Sequence, residues 1–183
     1  MRAEQFVRHT APTLADLKTG NLFPCRCLHP AALLATLRRY NRQLVPRGLR
    51  LLPLKQEEDY TLLYLFRPAR LAQDLAAQGA QALLRQAGYP AASPAACLRE
   101  LQRRLASGSG FPHEIGLFLG YPPEDVQGFI QHRGRACKLT GCWKVYGNEA
   151  AARQCFAVYR SCTESYCRRL ARGEDLTGLA VPC

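Results

Sequence analysis

No stretch of the chain approaches the roughly 18 to 20 consecutive apolar residues that a membrane-spanning helix needs. The opening, MRAEQFVRHTAPTL, also lacks the continuous apolar region of a secretory signal. Both absences point to a protein of the cytosol with no membrane partner. No internal repeat, low-complexity tract or long linker stands out, and the phosphate-loop arrangement G-x-x-x-x-G-K-[ST] is missing. The zinc-protease pattern is missing too, because it needs a second histidine four residues after His113, where Leu117 stands. Acidic residues are the scarce charge: 14 Asp and Glu against 25 Lys and Arg leave a formal net charge of +11.

What is present is the composition of a folded domain. A chain of 183 residues with 48% hydrophobic side chains can bury one sizeable core. Nine cysteines is a high and odd number; in a reducing compartment they read as thiols, metal ligands or small buried apolar groups rather than disulfides. The positive field attracts phosphates and acidic partners. Nucleic-acid binding would need a basic stripe with interleaved aromatics, whereas Arg103-Arg104, Arg133-Arg135 and Arg168-Arg169 are short and separate.

The chain order predicts an α+β fold with a small antiparallel sheet and a helical C-terminal half. Asn21 to Leu28 reads as a strand with Pro24 at an edge. Pro30 opens a helix with Leu33, Leu34, Leu37 and Tyr40 at helical spacing, and Arg47-Gly48 ends it. Leu49 to Leu54 and Tyr60 to Phe66, joined by KQEED, read as a hairpin. One long helix is expected from Pro68 to Gly88, and another after the cap Ser93-Pro94, with Leu98, Leu101 and Leu105 inward. His113 to Leu119 reads as a short helix and Pro122-Pro123-Glu124-Asp125 as a second helix start. Glu149 to Ala171 forms the last helix, and GEDLTGLAVPC reads as irregular. Strand, helix, hairpin, helix becomes a ferredoxin-like variant if Trp143 to Tyr146 supplies a further strand. The whole is expected to be one domain, with a soft boundary at ASGSG, 106–110.

Chemistry-bearing residues gather in FPHEIGLFLGYPPEDVQGFIQHRGRACKLTGCWKVYG, from Phe111 to Gly147. His113 and Glu114 are an adjacent base and carboxylate that suit proton transfer; the bland alternative is an ordinary helix start. Cys142, beside Trp143 on a glycine turn, would be a nucleophile if a histidine lowered its pKa. His9, in RHTAPTL ahead of a capped turn, is the fourth catalytic candidate. Tyr121 and Trp143 are the aromatic candidates for ligand contact. Cys137, Cys142 and Cys167 are the candidate ligands for a transition metal, zinc or iron. The C-x4-C spacings fit only loosely, because Cys162 and Cys167 sit on a helix where residues five apart diverge. Cys155, Tyr159, Cys162 and Tyr166 form one helical stripe and read as core. Cys25 and Cys27 would share one face of the first strand.

PHEIGLFLGYPPEDVQGFI, then GCWKVYGNEAAA and CTESYC, resemble domain of unknown function 3793, a family from anaerobic bacteria. The resemblance runs from HTAPTL at His9 through GLRLLPL and YLFRPARL to Cys167. It implies no reaction. Relatives often carry a cysteine after the first histidine and another before the glycine of GCWKVYG, where this chain has Thr10 and Thr140. Both departures weaken a metal or disulfide mechanism and leave His9, His113, Glu114 and Trp143. Three functions remain open: thiol-redox or metal handling at a His/Glu/Cys site, binding of an anionic ligand such as a nucleotide or RNA, and a protein-interaction role without chemistry.

Overall fold

The computed structural model describes residues 2–26, 29–90, 93–107 and 110–182. Its first element is a helix, α1 (Ala3–Leu14), that places Phe6, Val7, Ala11 and Leu14 in the interior. The sequence around His9 suggested only a capped turn, since Pro12 lies inside the helix. Proline removes one hydrogen bond there, and burial of one whole helix face outweighs that loss.

Strand β1 (Gly20–Cys25) follows, then α2 (Pro30–Leu44), β2 (Arg50–Gln56) and β3 (Thr61–Phe66). Cys27 and Leu28, expected to continue the first strand, lie outside the described residues. The three strands form an antiparallel sheet in the order β1-β3-β2. Central β3 reads TLLYLF, a nearly unbroken apolar run, because both of its faces are covered. Pro24 is on an edge strand, where its missing N–H breaks no ladder. Leu33, Leu37 and Tyr40 of α2 are buried, but Leu34 is turned outward and 53% exposed. The helical spacing that includes Leu34 is therefore wider than the stripe the sheet covers. Gly48, with φ +75°, makes the left-handed turn into β2.

The single helix expected after Pro68 is two helices, α3 (Pro68–Ala76) and α4 (Gln78–Gln86). Ala77 between them is extended, with ψ 137°, and Gly79 lets Pro123 come within contact distance. Ser93 caps α5 (Pro94–Ala106) by accepting from Ala96 N, and Leu98, Leu101 and Leu105 point inward. Then come α6 (Ile115–Phe118), α7 (Pro123–His132), strands β4 (Leu139–Thr140) and β5 (Lys144–Val145), α8 (Glu149–Ala171) and α9 (Leu176–Leu179). The C-terminal half is accordingly helical. The tail is not irregular as expected, because Asp175 caps α9 and Leu179 and Ala180 are buried. The further strand near Trp143 does form. It pairs only with β4 in a two-stranded ribbon, so the condition for a ferredoxin-like sheet is not met.

The chain divides into two compact units: Met1–Ala69 with Tyr159–Cys183, and Arg70–Val158. The first holds the three-stranded sheet and a core built around Phe6, Leu14, Leu44, Leu49, Leu63 and Leu65. The second holds α4 to α7 and the β4-β5 ribbon. The segment 106–110 falls within the second unit, with Gly108 and Ser109 outside the described residues. Among the described residues no helix is long and apolar enough to cross a membrane.

Candidate functional site

Adjacent residues in PHE meet opposite environments. Pro112 O accepts from Ile115 N, which forms a turn that leaves His113 in solvent and buries Glu114. The His113 ring lies edge-on to Phe129 at 5.0 Å. The Glu114 carboxylate pairs with Arg104, Oε1 to Nη1 at 3.1 Å. That guanidinium also donates to Glu100 Oε1 at 2.7 Å and to Ala87 O at the end of α4, and stacks over Tyr89 at 4.3 Å. One arginine thus joins the end of α4, the last turns of α5 and the start of α6. Hydrogen bonds from Arg103 and Arg104 hold Glu100 down at about 2. The Tyr89 hydroxyl is buried beside the Glu114 carboxylate. Burial, then the negative charge of Glu114, pushes its pKa well above the ordinary tyrosine range.

A second carboxylate was missed as a candidate. Asp125 reads in sequence as a helix-dipole acid in the first turn of α7. In the fold it is buried and accepts three hydrogen bonds, each 2.7 Å: from Trp143 Nε1, Tyr146 N and Gly147 N. The acid and the lone tryptophan are both visible in the sequence. A buried indole N–H needs an acceptor, and that was the available signal. Gly128 is required beneath this junction, because a Cβ there would meet Tyr146 Cγ at 2.4 Å.

The aromatic candidates pack on one another. Tyr121 stacks on Trp143 at 4.9 Å, and Trp143 is edge-on to Phe156 at 4.6 Å. The Tyr121 hydroxyl donates to Cys142 O at 3.2 Å. Its pKa is pushed up to about 12, by burial first and by Cys142 second. Lys144 Nζ donates to Gly134 O at the end of α7, so the ribbon is tied to α7 at both ends.

The three candidate metal-ligating thiols are divided between the units. Cys142 is exposed, whereas Cys137 is half-buried with its Sγ 3.4 Å from Thr140 Oγ1. Both belong to the second unit, and Cys167 to the first. Among the described residues no group of three or more His, Cys, Asp or Glu is arranged to hold a metal ion. On α8, Tyr166 is buried and Cys155, Tyr159 and Cys162 are partly so. Burial pushes the Cys162 thiol up to about 11. Cys167, which falls off that stripe in sequence, nonetheless packs partly against the first unit's core.

His9 lies in the first unit, stacked on Phe23 at 5.5 Å. Burial, and secondarily Arg8, lowers its pKa. Thr10 beside it is buried and donates to Phe6 O. His113, Glu114, Cys142, Tyr121 and Trp143 share the second unit. Glu114 faces Arg104, Trp143 faces Asp125, and His113 faces Phe129.

No curated protein and no solved structure matches the chain. A family model described as Protein of unknown function (DUF3793) matches residues 6–180, nearly the whole length and both compact units, and the chain belongs to that family.

Proposed function

We propose that the chain is a protein-interaction module without chemistry of its own, and that the family's signature segment is its scaffold. The observation that carries this reading is the use made of the two buried carboxylates. Glu114 is held by Arg104, and Asp125 by an indole and two backbone N–H groups. Carboxylates engaged in this way position backbone and are poorly placed to exchange protons with a substrate. The nucleotide or RNA reading needs exposed rings for bases to stack on, and Tyr121 and Trp143 stack on each other instead. Thiol-redox or metal handling would rest on Cys142, which is exposed and near the Tyr121 hydroxyl. The family match runs through both units, which supports treating them as parts of one domain.

The test uses protein purified without oxygen. Metal content should fall well below one equivalent, and Cys142 should alkylate no faster than a free small-molecule thiol under the same conditions. Glu114→Gln should lose about 1–3 kcal/mol of stability, and His113→Ala about 0.5 kcal/mol or less. One equivalent of zinc or iron, or an alkylation rate at Cys142 about a hundredfold higher, would replace this reading with the metal or redox one.

A further inference from the structure

We propose that a cleft between α2 and β2 in the first unit docks an acidic, amphipathic helix of a partner protein. The inference rests on the interaction-module reading and names its surface. The cleft has a volume of about 760 Å³, with Leu34, Val45, Leu52 and Pro53 among its apolar lining and Arg38 and Arg42 beside them. Leu34 is 53% exposed and Val45 41% exposed. Leu34, Arg38, Asn41 and Val45 stand at i, i+4, i+7 and i+11, so α2 presents a second stripe besides the one that packs on the sheet.

Three observations select the occupant. From His29 to Gln56 the chain carries Arg38, Arg39, Arg42, Arg47, Arg50 and Lys55 and no acidic residue, so the complement is negative. Strand addition is blocked on this edge of the sheet: the Asn41 side chain takes both Leu51 N and Leu51 O, at 2.9 and 2.8 Å, and Pro53 has no N–H. Recognition is left to side chains, in the manner of a helix laid in a groove, with apolar anchors at i, i+4 and i+7 and carboxylates toward the arginines. The described lining contains no aromatic ring on which a base would stack. A second copy of the chain, itself at +11, would be repelled.

The probe is a fluorescent helical peptide with leucine at i, i+4 and i+7 and glutamate on the flanks, titrated by anisotropy. Binding should weaken with salt. Leu34→Ser and Arg38→Glu should each reduce it about tenfold. The double variant Arg133→Gln/Arg135→Gln, which removes the same charge from the second unit, should leave it unchanged. Amide resonances of Leu34, Val45 and Leu52 should move on titration. The proposal falls if a peptide with lysine in place of glutamate binds as well, or if the Arg133/Arg135 variant weakens binding as much as Arg38→Glu. It also falls if RNA competes at these residues, or if Leu34→Ser abolishes a dimer of the free protein. Absence of peptide binding to metal-free protein with ordinary thiols would remove the cleft alone. A bound metal or a hyper-reactive Cys142 would remove the interaction-module reading itself.

Discussion

In each unit a buried charge ties together main-chain groups of distant segments, Arg67 in the first and Asp125 in the second, and the two are of opposite sign. In the first, Arg67 has no exposed surface and follows β3 directly. It donates at 2.8 Å to Thr13 O and Leu14 O, the last carbonyls of α1, and to Val181 O, and pairs with Asp16. In the second, Asp125 gathers N–H donors from Trp143, Tyr146 and Gly147. The sign follows from what each junction leaves unpaired. A helix C-terminus presents carbonyls and favours a cation, whereas the chain leaving β5 presents N–H groups and favours an anion. A buried charge costs several kcal/mol unless it is fully paired. Both are engaged by main-chain groups from distant segments.

Arg67→Ala and Asp125→Ala would test this symmetry most severely. Each should cost about 3–5 kcal/mol in urea unfolding, because the partners left behind stay buried and unpaired. A loss below about 1 kcal/mol at either position would break the comparison. Smaller, at about 1–3 kcal/mol by thermal melting, is Gly128→Ala, which forces Tyr146 off the α7 face without touching Asp125. If that variant costs as much as Asp125→Ala, packing rather than the carboxylate holds the junction.

The smallest effects are pH-dependent and separate the units by the range in which each responds. His9, in the first unit, has a folded pKa below the ordinary 6.5, through burial and then Arg8. The unfolded chain therefore takes up the proton first, and stability should decline as pH falls through 6.5. His9→Phe should flatten that decline. Glu100, in the second, sits at about 2 rather than 4.5 because Arg103 and Arg104 hydrogen-bond its ionised form. Its contribution is present above 4.5 and fades as pH drops toward 2; Glu100→Gln should remove that part of the acid limb. Melting temperature against pH for both variants is the measurement.

Much of the fold was legible because its signals are local. The β2-β3 hairpin follows from two apolar runs around a charged turn, the start of α5 from Ser93-Pro94, and the start of α7 from Pro122-Pro123. Helix α1 was hidden by Pro12, the break at Ala77 by continuous helix-forming composition, and α9 by the shortness of its only turn. The site was less legible. His113 and Glu114 looked like partners because they are neighbours, yet one is in solvent and the other in an ion pair with Arg104.

The sequence by itself determined the β2-β3 hairpin, the starts of α5 and α7, the span of α8, the excess of arginine, and the signature that identifies the family. Only the tertiary structure decided what Glu114, Asp125 and Arg67 are for. A buried charge takes its role from the donors or acceptors that folding brings to it. Here those come from Arg104, from the turn after β5 and from the end of α1, and no local pattern in the chain specifies such distant pairings.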